Sequence, residues 1–345
     1  MTASVLTANC HYLKKSTRPG RRLILGLLLT GAAFCASLAL GQTNIPPVTV
    51  WDALFHFDAT KTQHLIIQGS RLPRAVIAML VGSALAVAGA LMQALTRNPL
   101  ASPAIFGVNA GAVFAIVLAT TLMAISAMDQ LLWVGLIGAA LAGGLVYALG
   151  TVGHQSPSPV RLVLAGAAIS ALFISFTQAI LVTHQEGLDS VLFWLAGSVS
   201  GRSLAMVLPT LPLVLPALLL SLLLGRHINL LMSGDDIARG LGQNVALLKS
   251  ALGLLTICLA GSAVAMAGNV GFVGLVVPHI VRGWLGSDHR WVIPGCAVFG
   301  AALVLSADVI ARFLIMPQEI PVGVMTALIG TPFFIYLARR GLRYG

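Results

Sequence analysis

Apolar residues in this chain occur in long runs, and charged positions cluster between the runs. A helix needs roughly 20 mostly apolar residues to cross about 30 Å of hydrocarbon. Ten stretches approach that length, at 23–41, 72–95, 104–125, 131–150, 160–182, 204–225, 250–268, 270–285, 291–312 and 322–338. The eighth fits the pattern least well, because it is short and contains Pro278, His279 and Arg282. The pattern predicts an all-α polytopic membrane protein with about ten transmembrane helices.

Two of these stretches contain nearly the same phrase. GSALAVAG occupies 82–89 and GSAVAMAG occupies 261–268, with six of eight positions identical, and a proline follows ten residues after the last glycine of each copy. A chance match of small residues is the alternative, although small residues also let helices pack closely in lipid. The copies fall on the second and seventh helices, which run in opposite directions if ten helices alternate. We therefore expect an inverted repeat of helices 2–5 and 7–10, as in many transporters.

Composition and charge agree with a membrane protein. The chain is 58% hydrophobic and 9% charged, and its mean hydropathy is +0.95. The net charge of +10 would suggest nucleic acid binding in a soluble chain; here, loops enriched in Lys and Arg on the cytoplasmic side explain it, so no nucleic acid partner is expected. With the N-terminus inside, fifteen Lys and Arg residues lie inside and five outside, namely Lys61, Arg71, Arg74, Arg202 and Arg312. Both termini, including a tail at 1–22, are thus predicted to be cytoplasmic.

The first apolar segment has a second interpretation. Basic residues precede it and it ends in ALG, which resembles a signal-peptide cleavage site. Its apolar run of 18 residues, 23–40, is long for a signal peptide, so a retained helix is favoured.

The four cysteines are far apart and have no neighbours at metal-ligand spacing, which argues against a disulfide framework or a metal site.

The sequence also bears on the energy source. Asp308 is the acidic candidate for ion coupling within a clear helix, but Arg312 follows four residues later, so an ion pair is favoured over a proton relay. A nucleotide-binding P-loop needs Gly-Lys followed by Ser or Thr, and none of the four lysines follows a glycine. We expect no cofactor in this chain, and any ATP and Mg to be bound by another subunit.

The long loop at 227–249 has a pattern of its own. Ser233 or Asp235 can cap a short helix that Gly240 ends, and Asn244 can cap a second turn leading to Leu247 and Leu248. Two short helices on the membrane face would form a rigid knob. Such a knob is a surface that a separate ATPase could bind.

Several motifs resemble the ferric-siderophore and vitamin B12 permease family of ABC importers, which includes ferric citrate and haem permeases. The resemblance covers nearly the whole chain and follows the family's order. Its motifs are RLPRAVIAMLVGSALAVAGALMQALTRNPLASPAIFGVNAGA (71–112), FWLAGS (193–198), SGDDIARGLG (233–242), GFVGLVVPHIVR (271–282), ADVIAR (307–312) and EIPVGVMTALIGTPFFIYL (319–337).

The resemblance implies one permease domain, 1–345, in the bacterial cytoplasmic (inner) membrane, with ten helices in contact with membrane lipid. It implies a second permease subunit, identical or paralogous, two ATPase subunits, and a periplasmic or lipid-anchored substrate-binding protein. The chain itself would be a transporter subunit and not an enzyme, and the cargo an iron(III)-siderophore or a similar ferric chelate such as ferric citrate. A vitamin B12 or haem permease of the same fold, an ion-coupled secondary transporter and a membrane scaffold are the alternatives.

The resemblance also assigns roles to residues. The ATPase-coupling loop would include Ser233, Gly234, Asp235, Asp236, Arg239, Gly240 and Gly242. Arg71, Arg74 and Arg312 would dock the binding protein through its acidic residues, and snorkelling to lipid headgroups is their alternative role. Asn98, Pro99, Ser102 and Pro103 are expected to shape the cytoplasmic turn between helices 2 and 3, in preference to contacting cargo. His154 is expected in a solvated loop, with an inner gate as the alternative.

Overall fold

The protein is described by a computed structural model that covers residues 19–125, 127–151, 159–184, 194–316 and 318–341. The N-terminal tail before residue 19 and His154 lie outside these ranges. The described residues form helices and no sheet. The helices are α1 (Pro19–Ala39), α2 (Pro47–Phe55), α3 (Thr62–Ile66), α4 (Leu72–Thr96), α5 (Val108–Leu122), α6 (Met128–Thr151), α7 (Pro159–Thr183), α8 (Leu204–Val207), α9 (Leu211–Leu223), α10 (Gly225–Met232), α11 (Asp235–Gly240), α12 (Val245–Ala267), α13 (Val273–Leu285), α14 (His289–Ala311) and α15 (Val322–Gly341).

A helix occupies each of the ten predicted segments, which confirms the all-α polytopic class. In the described part of the chain, six helices are long and apolar enough to cross a membrane: α1, the continuous helix containing α3 and α4, α6, α7, α12 and α14. The bent pair of α9 and α10 can supply a seventh. Because α5, α13 and α15 are shorter apolar helices, ten crossings stay a prediction.

The sixth predicted segment, 204–225, is not one straight helix. It is divided into α8, a 3-10 turn at Leu208–Thr210 and α9, and the axis then bends by 55° into α10. Three prolines, Pro209, Pro212 and Pro216, fall within this stretch. Proline lacks the backbone N–H that continues a helix, and its ring clashes with the preceding turn. The predicted segment is thus helical, with a 3-10 turn beside Pro209 and Pro212, and the 55° bend lies at its end, at Leu224.

The second predicted helix is longer than its apolar pattern. A π-helical turn at Ile67–Arg71 joins α3 to α4, so the chain is helical from 62 to 96. The polar residues Gln68, Ser70 and Arg71 interrupt the apolar run, so the predicted stretch begins only at residue 72. This extension places Arg71 and Arg74 on a single continuous helix that runs through the centre of the fold.

Helix packing agrees with the expected inverted repeat. α4 packs against α14, and its counterpart α12 packs against α6, while α4 and α12 also pack against each other. Asp235 contacts both Arg97, just after α4, and Lys249, near the start of α12, so these two helices run antiparallel. The prolines do not occupy matching positions, because Pro99 lies in the turn after α4 whereas Pro278 lies inside α13. Their equal spacing is therefore not part of the symmetry.

The glycines of the repeated phrase are sites of very close helix contact. A β-carbon added to Gly82 would lie 2.2 Å from the carbonyl oxygen of Gly300, and one added to Gly89 would lie 1.9 Å from that of Gly274. In the second copy, a β-carbon on Gly261 would lie 2.9 Å from the Ala139 side chain. Each copy of the repeated sequence therefore lets its helix pack closely against a neighbouring helix. At Gly82 and Gly89 the contact is between the two helix backbones.

Replacing Gly89 by Ala is expected to destabilise the protein, because the new methyl group meets backbone that cannot rotate away. Overpacking of this kind costs roughly 1–3 kcal/mol. Gly144→Ala is the matched control, since nothing lies within 4 Å of a β-carbon at that position. Thermal unfolding in detergent should show a lower midpoint for Gly89→Ala alone. Equal midpoints for the two variants would contradict the proposed contact.

Candidate functional site

Charged side chains gather at the two ends of the α4/α12/α14 core, which we call the Asp308 end and the Asp235 end. At the Asp308 end, Arg74 lies 2.7 Å from Asp308 (Nη2 to Oδ1) and 2.6 Å from Glu319 (Nη1 to Oε2). Arg312 also pairs with Asp308, one turn earlier on α14. The ion pair expected for Asp308 and Arg312 is confirmed. Asp308 is fully buried and so joins α4 to α14 inside the protein.

Two arginines at this end bind the last carbonyl groups of α1. Arg312 Nη1 donates to the carbonyl oxygens of Ser37 (2.8 Å) and Leu40 (3.0 Å). Arg71 Nη1 donates to those of Leu38 (2.8 Å) and Ala39 (2.7 Å). The final carbonyls of a helix have no partner within the helix and carry its partial negative charge. The guanidinium groups therefore fix the end of α1 against α4 and α14.

These contacts change how the three predicted docking residues are understood. Arg71, Arg74 and Arg312 are 6%, 8% and 3% exposed. They do lie together at one end, as predicted from the sequence. They do not form an open cationic surface, and their side chains do not snorkel to lipid, because protein carboxylates and carbonyls already bind them. Direct contact with a binding protein stays a prediction. Glu319 and Ser200 were missed as members of this cluster, although Glu319 opens one of the family motifs.

At the Asp235 end, one carboxylate connects three elements. Lys249 Nζ, at the start of α12, lies 2.7 Å from Asp235 Oδ2, and Arg97, just after α4, pairs with Asp235 Oδ1. Arg97 Nη2 also donates to the carbonyl oxygen of Leu231 (2.9 Å). Partial burial raises the pKa of Asp235, but the hydrogen bond and charge of Lys249 and the charge of Arg97 lower it more, so the net pKa is below the usual value. Asp235 is therefore an anion that links α11 to both halves of the repeat.

The loop containing α11 differs from its sequence prediction in its caps. Neither Ser233 nor Asp235 caps α11 with its side chain; Gly234, with φ at 125°, is the N-cap residue. Glycine suits this N-cap position because a positive φ favours a residue without a β-carbon. The Asp235 side chain does not cap the helix because it pairs with Lys249 and Arg97. The prediction that Gly240 ends the helix is confirmed.

The second half of the loop is also simpler than expected. The side chain of Asn244 caps the long helix α12 by accepting from the backbone N–H of Leu247 (3.0 Å), so no separate second turn forms there. The two short helices of the loop are instead α10 and α11. Asp236 and Arg239 form a surface pair (3.3 Å) on α11, and Gly242 adopts a φ of 82° just after it.

The surface around α11 is apolar as well as charged. Ile237, Leu241 and Leu247 are 55%, 67% and 67% exposed at the Asp235 end. Exposed apolar side chains grouped with charges are typical of a surface that contacts a protein partner. The two short helices expected in this loop are therefore present as α10 and α11, and the role of α11 in binding an ATPase stays a prediction.

The turn after α4 contains the four positions that the sequence analysis assigned to it, Asn98, Pro99, Ser102 and Pro103. Asn98 Oδ1 accepts from the backbone N–H of Leu100 (2.9 Å), and the Asn98 carbonyl accepts from that of Ala101 (3.1 Å). Pro99 lies inside this turn. Ser102 is extended and precedes the 3-10 helix Pro103–Phe106. The positions thus set the path of the chain beside Arg97.

Asp308→Asn should strongly destabilise the protein, because it leaves Arg74 and Arg312 buried with less negative charge. Breaking a buried pair by removing one partner costs roughly 3–5 kcal/mol. Thermal unfolding of the purified protein would measure this loss. Asp129→Asn is the control, since Asp129 is exposed and no ion pair is seen for it in the described structure; unchanged stability of Asp308→Asn would show that the network is not needed for folding.

The chain is similar in sequence to permease proteins of known transport systems. The chain is 49% identical over 320 residues to the probable siderophore transport system permease protein YfiZ of Bacillus subtilis, covering 93% of this chain and 95% of that protein. It is 43% identical to the iron(3+)-hydroxamate import system permease protein FhuB of the same organism, covering 93% and 83%.

A solved structure shows the same fold. An inward-facing conformation of a metal-chelate type ABC transporter matches with a TM-score of 0.82 and 29% identity, covering 93% of this chain and 99% of that one. The family model for FecCD transport matches residues 28–340. This chain belongs to the FecCD transport family.

Proposed function

We propose that this chain is the membrane-spanning permease subunit of an ABC importer that moves an iron(III)-siderophore, or a similar ferric chelate such as ferric citrate, into the cytoplasm. The family match over 28–340 is the observation that carries this proposal. Its relatives are named as siderophore and hydroxamate permeases and align along most of their length. A shared fold alone would support transport without indicating the cargo.

ATP hydrolysis is assigned to two partner ATPase subunits, which would also hold ATP and Mg. This chain has no P-loop sequence, and α11 with its exposed apolar residues supplies the contact surface. When the ATPase subunits close, a displacement of α11 would reach α4 through Arg97 and α12 through Lys249. Through Asp235, a single displacement of α11 would therefore move both α4 and α12, one helix from each half of the repeat.

The remaining partners follow from the membrane orientation. Lys and Arg are more numerous at the Asp235 end in the predicted topology, which supports a cytoplasmic location for that end and for both termini in the bacterial inner membrane. A substrate-binding protein would then dock at the Asp308 end. A second permease subunit would complete the pathway, and the largely exposed apolar surface of α7 is available to lipid or to that subunit.

An ion-coupled secondary transporter is less well supported. Its acidic coupling residue would have to be Asp308, and this carboxylate is fully buried and shared between Arg74 and Arg312. Both of its oxygens already accept hydrogen bonds from these two arginines, so the carboxylate serves as a structural partner and is not open to a coupling ion.

Uptake by reconstituted vesicles tests the function. Vesicles containing the permease with its ATPase and binding protein should accumulate a radiolabelled iron(III) hydroxamate only with internal ATP. Labelled cobalamin and haemin, offered in parallel, test the alternative cargoes. Accumulation driven by an ion gradient in vesicles that contain this chain alone would contradict the proposal.

Asp235→Asn should uncouple the transporter, because the amide cannot form ion pairs with Arg97 and Lys249. Hydrogen bonds to charged groups contribute roughly 1.5–3 kcal/mol each, so we expect chelate uptake to fall about tenfold or more. The ATPase should still co-purify and hydrolyse ATP, because the exposed surface of α11 is unchanged.

Asp236→Asn is the matched control for this variant. It removes the same charge from the neighbouring position, but the Asp236 side chain is 99% exposed and, among the described residues, its one ion pair is with Arg239 at the surface. Its uptake should stay close to normal. Equal loss in both variants would indicate that Asp235 acts only through general charge at the ATPase contact.

A further inference from the structure

A cavity of about 350 Å³ with several polar lining residues opens at the Asp235 end, outside the α11 knob. It lies between the end of α4, helix α10, the end of α13 and the start of α14. Its polar lining consists of Gln93, Arg97, Asn229, Arg282, Ser287 and His289. The proposed transport function gives no role to this cavity.

Positive charge dominates the cavity because its arginines are incompletely neutralised. Arg282 donates to the amide oxygen of Gln93, and no carboxylate lies within 4.0 Å of its nitrogens in the described parts of the chain. Asp235 is shared by two cations, Arg97 and Lys249, and so neutralises only one of them.

The nearest remaining carboxylate does not change this balance. Asp288 pairs with Arg290, whose Nη2 lies 2.6 Å from Oδ2, and it also accepts from Asn229 Nδ2 (2.6 Å). The bond from Arg290 lowers the pKa of Asp288 well below its usual range, so its charge is fixed and matched by Arg290. About two positive charges remain around the cavity without a matching anion.

Aromatic residues place the cavity near the membrane surface. Trp284 lies two residues after Arg282 in the last turn of α13, is 44% exposed, and packs edge-on against Phe299 with ring centroids 5.6 Å apart. Tryptophan is enriched at the level of lipid headgroups, where its ring is partly apolar and partly wet. Arg282 and the cavity mouth lie at the same level along α13.

We propose that this cavity binds a phosphate group through Arg282 and Arg97, with the hydroxyl of Ser287 at its rim. Guanidinium groups fit phosphate oxygens in both charge and geometry, and basic pockets between transmembrane helices bind anionic headgroups. The level of Trp284 favours the headgroup of an anionic lipid such as phosphatidylglycerol or cardiolipin. A free phosphate shares the same chemistry. Bound phosphate would supply the missing negative charge and hold α4, α10 and α13 together, whatever cargo the transporter carries.

Lipid binding to the full-length purified protein tests this assignment. Delipidated protein is titrated with phosphatidylglycerol, cardiolipin, phosphatidylcholine or inorganic phosphate, and bound species are counted by native mass spectrometry. We expect the anionic lipids to bind in preference to phosphatidylcholine. Arg282→Gln should weaken that binding roughly tenfold, which is the scale of one charged hydrogen bond. Arg239→Gln is the control, because it removes an exposed charge from the same end of the protein.

A second variant separates loss of the site from loss of the fold. Ser287→Phe fills the mouth of the cavity from an exposed position and leaves Arg282 in place, so it should block anionic lipid while keeping the unfolding temperature of the wild type. Saturable binding of inorganic phosphate that depends on Arg282 would also support the site and assign it to a soluble ligand.

Three results would overturn the assignment. One is equal binding of phosphatidylcholine and the anionic lipids, which would indicate only a general lipid contact. Another is unchanged binding of every phosphate probe by both Arg282→Gln and Ser287→Phe. The third is unchanged lipid binding by Arg282→Gln together with lost co-purification of the ATPase, which would assign the surplus charge to a protein contact.

Discussion

Contact between the backbones of α4 and its neighbours is the constraint on which the rest of the structure depends. Gly82 faces the Gly300 carbonyl of α14, and Gly89 faces the Gly274 carbonyl of α13, at distances that leave no room for a side chain. In lipid, where apolar side chains gain little from leaving the solvent, close packing of this kind is a main source of helix association. Almost all of α4 is buried as a result.

Charged residues complete this core at its two ends, in two different ways. The Asp308 end is closed: its carboxylate is buried between Arg74 and Arg312, and further arginine donors bind the carbonyls that end α1. Such a network costs desolvation energy and is strongly destabilised when one member is lost. The Asp235 end is more open: the side chains of Asp235 and Arg97 are 23% and 38% exposed, so solvent partly screens their contact, while Lys249 anchors the carboxylate from a buried position. A fixed end and an adjustable end suit a subunit that receives a mechanical input on one side only.

Much of the fold could be predicted because hydrophobic periodicity and length report directly on helices in a membrane. The repeated glycines also indicated the symmetric halves. The break between α9 and α10 could not be placed, since it falls at Leu224, eight residues after Pro216, where the apolar run shows no interruption before Gly225. The short helix α2 was not predicted because its nine residues are too few for a membrane-spanning run.

The candidate sites were predicted less completely, because partnerships between distant residues leave no local pattern. Asp308 and Arg312 are one turn apart, and their pair was expected. Glu319 meets Arg74 from 245 positions away, and nothing near either residue indicates it. Likewise Asp235 was interpreted as a helix cap, since its neighbours in sequence were visible and Arg97 and Lys249 were not recognised as its partners.

The contacts of Asp235 also limit how the gene can be recombined. Arg97 belongs to the first half of the chain, whereas Asp235 and Lys249 belong to the second. A chimera of two related permeases joined between the halves would therefore assemble this triad from two parents. A hybrid that keeps the glycine contacts can fold and still fail to transmit a displacement, unless the residue at position 97 is exchanged together with the segment it binds.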